Sequence, residues 1–128
     1  MRPSTAISGI RTVSVRVADQ DAALAFYVDT LGFERRLDVR PDPGQRWIEV
    51  APPGAAASIA LEAAASSAAP ARSDTGIRFS VSDAAAEHEA LRANGVRVGD
   101  LLRWDGAPPM FAFDDPDGNR FYVVEDRR

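Results

Sequence analysis

The chain has 128 residues, 45% of them hydrophobic and 27% charged, with a formal net charge of −4, the profile of an ordinary globular protein rather than a disordered or fibrous one. It holds one histidine, no cysteine and no lysine, so disulfides, thiolate chemistry, Schiff bases, a P-loop lysine and multi-histidine metal sites have no raw material. A mildly acidic chain without basic clusters makes a poor nucleic-acid binder. No apolar run approaches the roughly 20 residues that cross a bilayer, and the N-terminus opens no apolar secretory segment, so the expectation is a cytoplasmic protein.

Residues 11–17 alternate apolar and polar, the period of a half-buried strand. Asp19 then caps a helix over 19–31 whose apolar face is Ala22, Ala23, Phe26, Tyr27 and Leu31. Gly32 stops it in left-handed backbone. Strands are expected at 33–40, 45–51 and 57–62, and the Ala, Ser and Pro of 63–74 read as a linker. The series then restarts, with a strand at 76–81, a helix over 83–94 stopped by Gly95, and strands near 96–103, 109–114 and 119–125. Between the first two of these last strands, 104–109 is a loop on its glycine and prolines.

The restart is a repeat. The segment 15–19 is answered by 79–83 at an offset of 64, Leu31-Gly32-Phe33 by Asn94-Gly95-Val96 at 63, and 47–54 by 111–118 at 64. Three matches near one offset indicate a tandem duplication. The expected fold is α+β, a single domain of two βαβββ modules, about 10–62 and 75–125, that superpose across a pseudo-twofold. Their strands form an incomplete barrel around a cleft, with the helices on its outer face.

Strand alternation assigns the two faces. Val13, Val15 and Val17 point to the helix, leaving Thr12, Ser14 and Arg16 opposite; Ile77, Phe79 and Val81 do the same, leaving Gly76, Arg78 and Ser80. Ile48 and Val50 go inward, so Trp47 and Glu49 turn outward, with Phe111 and Phe113 as their repeat equivalents. Ser58, Ala60 and Glu62 are exposed by the inward Ile59 and Leu61, and Tyr122 by Phe121 and Val123. Rings, hydroxyls and paired charges on one face compose a candidate small-molecule pocket. Its ligand-binding candidates are Thr12, Ser14, Arg16, Trp47, Glu49, Glu62, Arg78, Phe111, Phe113 and Tyr122. The plainer alternative is a solvated face whose rings a partner subunit covers.

Val17-Ala18-Asp19, Phe26-Tyr27 ahead of Leu31-Gly32-Phe33, and the late Asp115-Pro116-Asp117-Gly118-Asn119 resemble the vicinal oxygen chelate superfamily, that of glyoxalases, bleomycin-resistance proteins and dioxygenases. The resemblance spans about residues 10–125 and is specific for fold; the superfamily hosts lyases, epimerases, dioxygenases, thiol transferases and antibiotic-sequestering proteins. It implies that metal-dependent members would place ligands at the positions occupied here by Thr12, Glu62, Gly76 and Tyr122. Of these only Glu62 is a ligand of the usual kind, and a divalent ion needs about three. Glu125, three residues past Tyr122, points to the helix side and cannot substitute. The expectation is no metal and no other cofactor.

Other signals are structural. The 115–119 segment fails as a calcium loop, because Phe113 and Val124 would occupy its first and twelfth positions, and suits a type I turn. His88, mid-helix between Glu87 and Glu89, reads as a surface or packing residue, and Phe26-Tyr27 as core. Glu49 and Glu62 could form a general acid/base pair, or could each be neutralised by Arg16 or Arg78. The favoured function is metal-independent binding of a small organic molecule in an aromatic-lined cleft of a homodimer, as in bleomycin-resistance proteins. A lyase or dioxygenase-type enzyme using Glu62 and Tyr122, and a dimerisation or regulatory module without a small ligand, are the alternatives.

Overall fold

The computed structural model of the chain describes residues 5–64 and 73–126. The first module runs β1 (Thr12–Val17), α1 (Gln20–Ala25), a π-helical turn (Phe26–Thr30), β2 (Glu34–Val39), β3 (Trp47–Ala51) and β4 (Ser58–Ala63). The second runs β5 (Ser73–Val81), α2 (Ala84–Ala93), β6 (Arg97–Val98), β7 (Met110–Asp114) and β8 (Asn119–Glu125). Each builds one four-stranded mixed sheet, ordered β1-β4-β3-β2 and β5-β8-β7-β6. In each, the first strand lies parallel to the last, Val15 opposite Leu61 and Phe79 opposite Val123, and the other pairs are antiparallel. The architecture is the expected α+β pair of βαβββ modules, with the sheets not closed into a barrel.

The helix ends form where the sequence predicts them. Asp19 Oδ1 accepts from the Asp21 and Ala22 N–H groups at 2.9 and 3.1 Å, and Asp83 Oδ1 from Ala86 N–H at 3.0 Å, satisfying donors a helix start leaves bare. Gly32 and Gly95 sit at φ 79° and 81°, where a side chain would be strained. The first helix widens near its end: Leu31 N–H donates to Phe26 O, five residues back, at 3.0 Å.

Two expected bounds change. The strand at 96–103 shrinks to β6 plus a Leu102–Met110 bridge, because its alternation breaks at Gly99-Asp100. Strand β5 starts at Ser73, inside the expected linker, and 65–72 lies outside the described residues.

One apolar core serves both modules, formed where their helix-side faces meet. Tyr27 stands edge-on to Phe121 with ring centroids 6.2 Å apart, and Phe33 to Phe79 at 5.5 Å, geometry that aromatic pairs favour. Side chains of the 115–119 turn tie the modules by hydrogen bonds as well. Asp117 Oδ1 accepts from Ala18 N–H at 2.9 Å, and Asn119 Nδ2 donates to Arg16 O at 2.9 Å. No helix among the described residues is long and apolar enough to cross a membrane.

Candidate functional site

The polar face of the first module is organised around a buried carboxylate. Glu49, on β3, is 8% exposed, and both its oxygens are engaged: Ser58 Oγ donates to Oε1 at 2.6 Å and Trp47 Nε1 to Oε2 at 2.7 Å. Alternation puts Trp47 and Glu49 on one face of β3, and antiparallel pairing lays β4 beside them with Glu49 opposite Ala60. The Ser58 hydroxyl, followed by the Trp47 indole, holds the Glu49 carboxyl below the usual carboxylate range; burial opposes this and the Arg11 charge adds to it. Glu49 is thus ionised at neutral pH, and its negative end fixes the orientation of the half-buried Trp47 ring.

Around this centre, Thr12 Oγ1 donates to Ser58 O at 3.2 Å. Ser14 and Arg16 are exposed on β1, with Arg16 in register beside Glu62. Arginine neutralisation, one expectation for Glu49, is corrected: its partners are a hydroxyl and an indole, and it makes no ion pair among the described residues. Ser58 was on the expected face without being singled out. Its signal was phase alone, since alternation places it on the same face of β4 as Glu62.

The second module presents Arg78 and Tyr122 on neighbouring strands. The Arg78 guanidinium carbon lies 5.0 Å from the Tyr122 ring centroid, within cation–π range, and its Nη1 donates to Gly76 O at 3.3 Å. On the same face Arg120 pairs with Asp114 at 2.9 Å.

Phe111 and Phe113 are a correction. They are 0% and 3% exposed and belong to the core. Phe113 stacks with Phe121 at 5.3 Å, and His88 of α2 meets Phe111 edge-on at 4.9 Å. The physical reason is phase. Phe113 pairs with Phe121 as Val50 pairs with Ile59, so Phe111 and Phe113 correspond to Ile48 and Val50 at an offset of 63, not to Trp47 and Glu49 at 64. Met110 and Ala112 take the polar face instead, and the rings there reduce to Trp47 and Tyr122. His88 itself packs, with Nε2 2.8 Å from Gly99 O.

Two βαβββ modules sharing one core, each with a polar sheet face turned from the helices, define the class of the chain as a vicinal oxygen chelate fold. The chain belongs to the Glyoxalase/Bleomycin resistance protein/Dioxygenase superfamily, whose family pattern matches residues 9–123. It is 31% identical to the uncharacterized protein YetH of Bacillus subtilis (strain 168), over 93% of this chain and 99% of YetH. Among solved structures, it is similar to a superfamily member from Sphaerobacter thermophilus DSM 20745, with TM-score 0.86 and 34% identity over 94% of this chain and 98% of that one. It is also similar to TnmS3, an antibiotic binding protein from Streptomyces sp. CB03234, with TM-score 0.82 and 33% identity over 95% and 98%.

The metal that some members of the superfamily carry does not fit the residues here. Gly76, at φ 75°, brings no side chain. The Thr12 hydroxyl is spent on Ser58 O, and the Tyr122 ring lies against Arg78. Among the described residues no three His, Asp or Glu converge to hold an ion, and Glu62 alone cannot.

Proposed function

We propose that this chain is a single-domain, metal-independent binding protein of the superfamily. It holds an organic molecule with planar or apolar parts against Trp47 on the polar face of the first module. The observation that carries this reading is the Trp47–Glu49–Ser58 chain of hydrogen bonds, at 2.7 and 2.6 Å, which fixes an aromatic ring before any ligand arrives. A preset ring spares the ligand the cost of ordering it, and stacking on it suits flat molecules. Thr12, Ser14, Arg16 and Glu62 supply polar contacts around it. The similarity to TnmS3, an antibiotic binding protein, supports the same class of ligand.

The second-module residues Arg78 and Tyr122 belong to the other sheet, and the reading assigns them to the same ligand through a homodimer in which a second copy covers the polar faces. A cytoplasmic location accords with the cysteine-free sequence. A screen of aromatic antibiotics and metabolites should yield a compound that raises the melting temperature and quenches tryptophan emission. Trp47→Ala should weaken its binding more than tenfold. A screen without any thermal shift or quenching overturns the reading.

A further inference from the structure

The two halves of the duplication differ where the modules meet. On one side of the core Tyr27 of the first module reaches the 115–119 turn of the second, and its hydroxyl donates to Asp115 Oδ2. The opposite junction sets α2 against the turn after β3, and backbone hydrogen bonds fix which residues correspond. Phe33 N–H donates to Tyr27 O at 2.9 Å and Val96 N–H to Leu91 O at 3.0 Å. Gly118 N–H donates to Asp115 O and Ala55 N–H to Pro52 O, both at 3.0 Å. Leu91 therefore stands where the other half has Tyr27, and Pro52 where it has Asp115. Ala23 N–H donates to Asp19 O at 2.9 Å and Glu87 N–H to Asp83 O at 3.1 Å, so Glu87 takes the place of Ala23.

Leucine falls short of the reach of a tyrosine ring, and an apolar cavity of about 190 Å³ remains at this second junction. Val17 and Ala23 are 0% and 2% exposed, whereas their counterparts Val81 and Glu87 are half-buried. Phe33 and Phe79, edge-on to each other at 5.5 Å, stand in the cavity wall with Pro52 and Leu91. The inward residues Val81, Phe113 and Val123 also line it and place it on the helix side of the second sheet, across that sheet from Arg78 and Tyr122. Apolar side chains facing such a space forfeit dispersion contacts that an apolar occupant would restore, and an apolar cavity of about 150 Å³ holds benzene. Among the described residues Glu87 is the single charged group in the lining, and its carboxylate makes no hydrogen bond or ion pair. One junction thus has a phenol ring bonded to a carboxylate, and the other has a carboxylate without the ring.

We infer that this cavity is a binding site for a small monocyclic phenol, whose ring takes the place that Tyr27 fills in the other half and whose hydroxyl donates to Glu87. It lies apart from the polar faces and does not rest on the function proposed there.

The probe is p-cresol, the tyrosine side chain as a free molecule. Titrated into protein with carbon-13 methyl groups, it should saturably shift the resonances of Leu31, Val81 and Leu91. Toluene, the same ring without the hydroxyl, should bind about tenfold more weakly, the loss expected for one hydrogen bond to a carboxylate. Glu87→Ala should weaken p-cresol by a similar factor and leave toluene unaffected. Leu91→Phe, which fills the cavity from within, should abolish binding of both; should that variant fail to fold, the toluene comparison and Glu87→Ala decide alone. No saturable shift, equal affinity for p-cresol and toluene, or no response to Glu87→Ala overturns the assignment. So do shifts confined to the surroundings of Trp47 and Tyr122, which would place p-cresol on the polar faces instead.

Discussion

Tyr27 of the first module and Asp115 of the second meet in a 2.7 Å hydrogen bond between side chains hidden from solvent. Asp115 also accepts from the N–H groups of Asp117 and Asn119 and from Asn119 Nδ2, each at 2.9 Å. The turn that superficially suggested a calcium loop is therefore a structural clasp between the modules. Tyr27→Phe removes one donor from a buried carboxylate and should cost roughly 1–3 kcal/mol in urea denaturation. Asp115→Ala, which strands all four donors, should cost more.

The same pair sets a response to alkali. Burial above all, and then Asp115, pushes the Tyr27 phenol well above its ordinary value. The unfolded phenol loses its proton near pH ~10. Stability from keeping it protonated is complete below that pH and drains away as pH rises through the higher folded value. Melting temperature should fall more steeply above pH ~10 in the parent than in Tyr27→Phe, where the titrating group is gone.

Glu49 runs the opposite way. Its carboxyl lies below the usual range, so its contribution is present above the unfolded value near pH ~4.3 and is lost as pH falls through the folded one. In Trp104→Phe, where emission reports Trp47 alone, an acid titration should shift the spectrum only below the ordinary carboxylate range. Glu49→Gln should abolish that step.

Phe111→Ala should cost about 3–5 kcal/mol, as expected for a core aromatic, and Trp47→Ala less than about 1, since its half-exposed ring lies off the core. Thermal melts of the two variants separate packing from binding. Similar losses in both would contradict the placement of Phe111 in the core and Trp47 on the polar face.

Elemental analysis of the purified, untagged protein should find no stoichiometric zinc, nickel, manganese or iron. Close to one equivalent per chain, lost in Glu62→Ala, would refute the metal-independent reading.

The fold was legible because its signals are local. Asp19 and Asp83 before apolar helical patterns, Gly32 and Gly95 after them, and alternation in β1, β4, β5 and β8 each specify one element without reference to the rest. The polar face was legible only where phase could be read within a strand, as for Thr12, Ser14 and Arg16. Phase for Phe111 and Phe113 was borrowed from the repeat, and one residue of drift sends every side chain of a strand to the other face. The Ser58–Glu49 contact joins different strands, so it follows from their pairing and not from either segment.

That drift has a location. From Asp19 to Gly32 is thirteen positions and from Asp83 to Gly95 twelve, and the surplus residue coincides with the π-helical turn at Phe26–Thr30. The first copy thus carries an insertion inside a helix rather than in a loop, absorbed by one wide turn so that both the cap and the glycine keep their places. A length change that would ordinarily rotate the rest of a helix by about 100° is silent here. Excising one residue from 28–30 should therefore be a tolerated deletion that restores a plain α-helix and brings the two halves back to equal length up to their glycines.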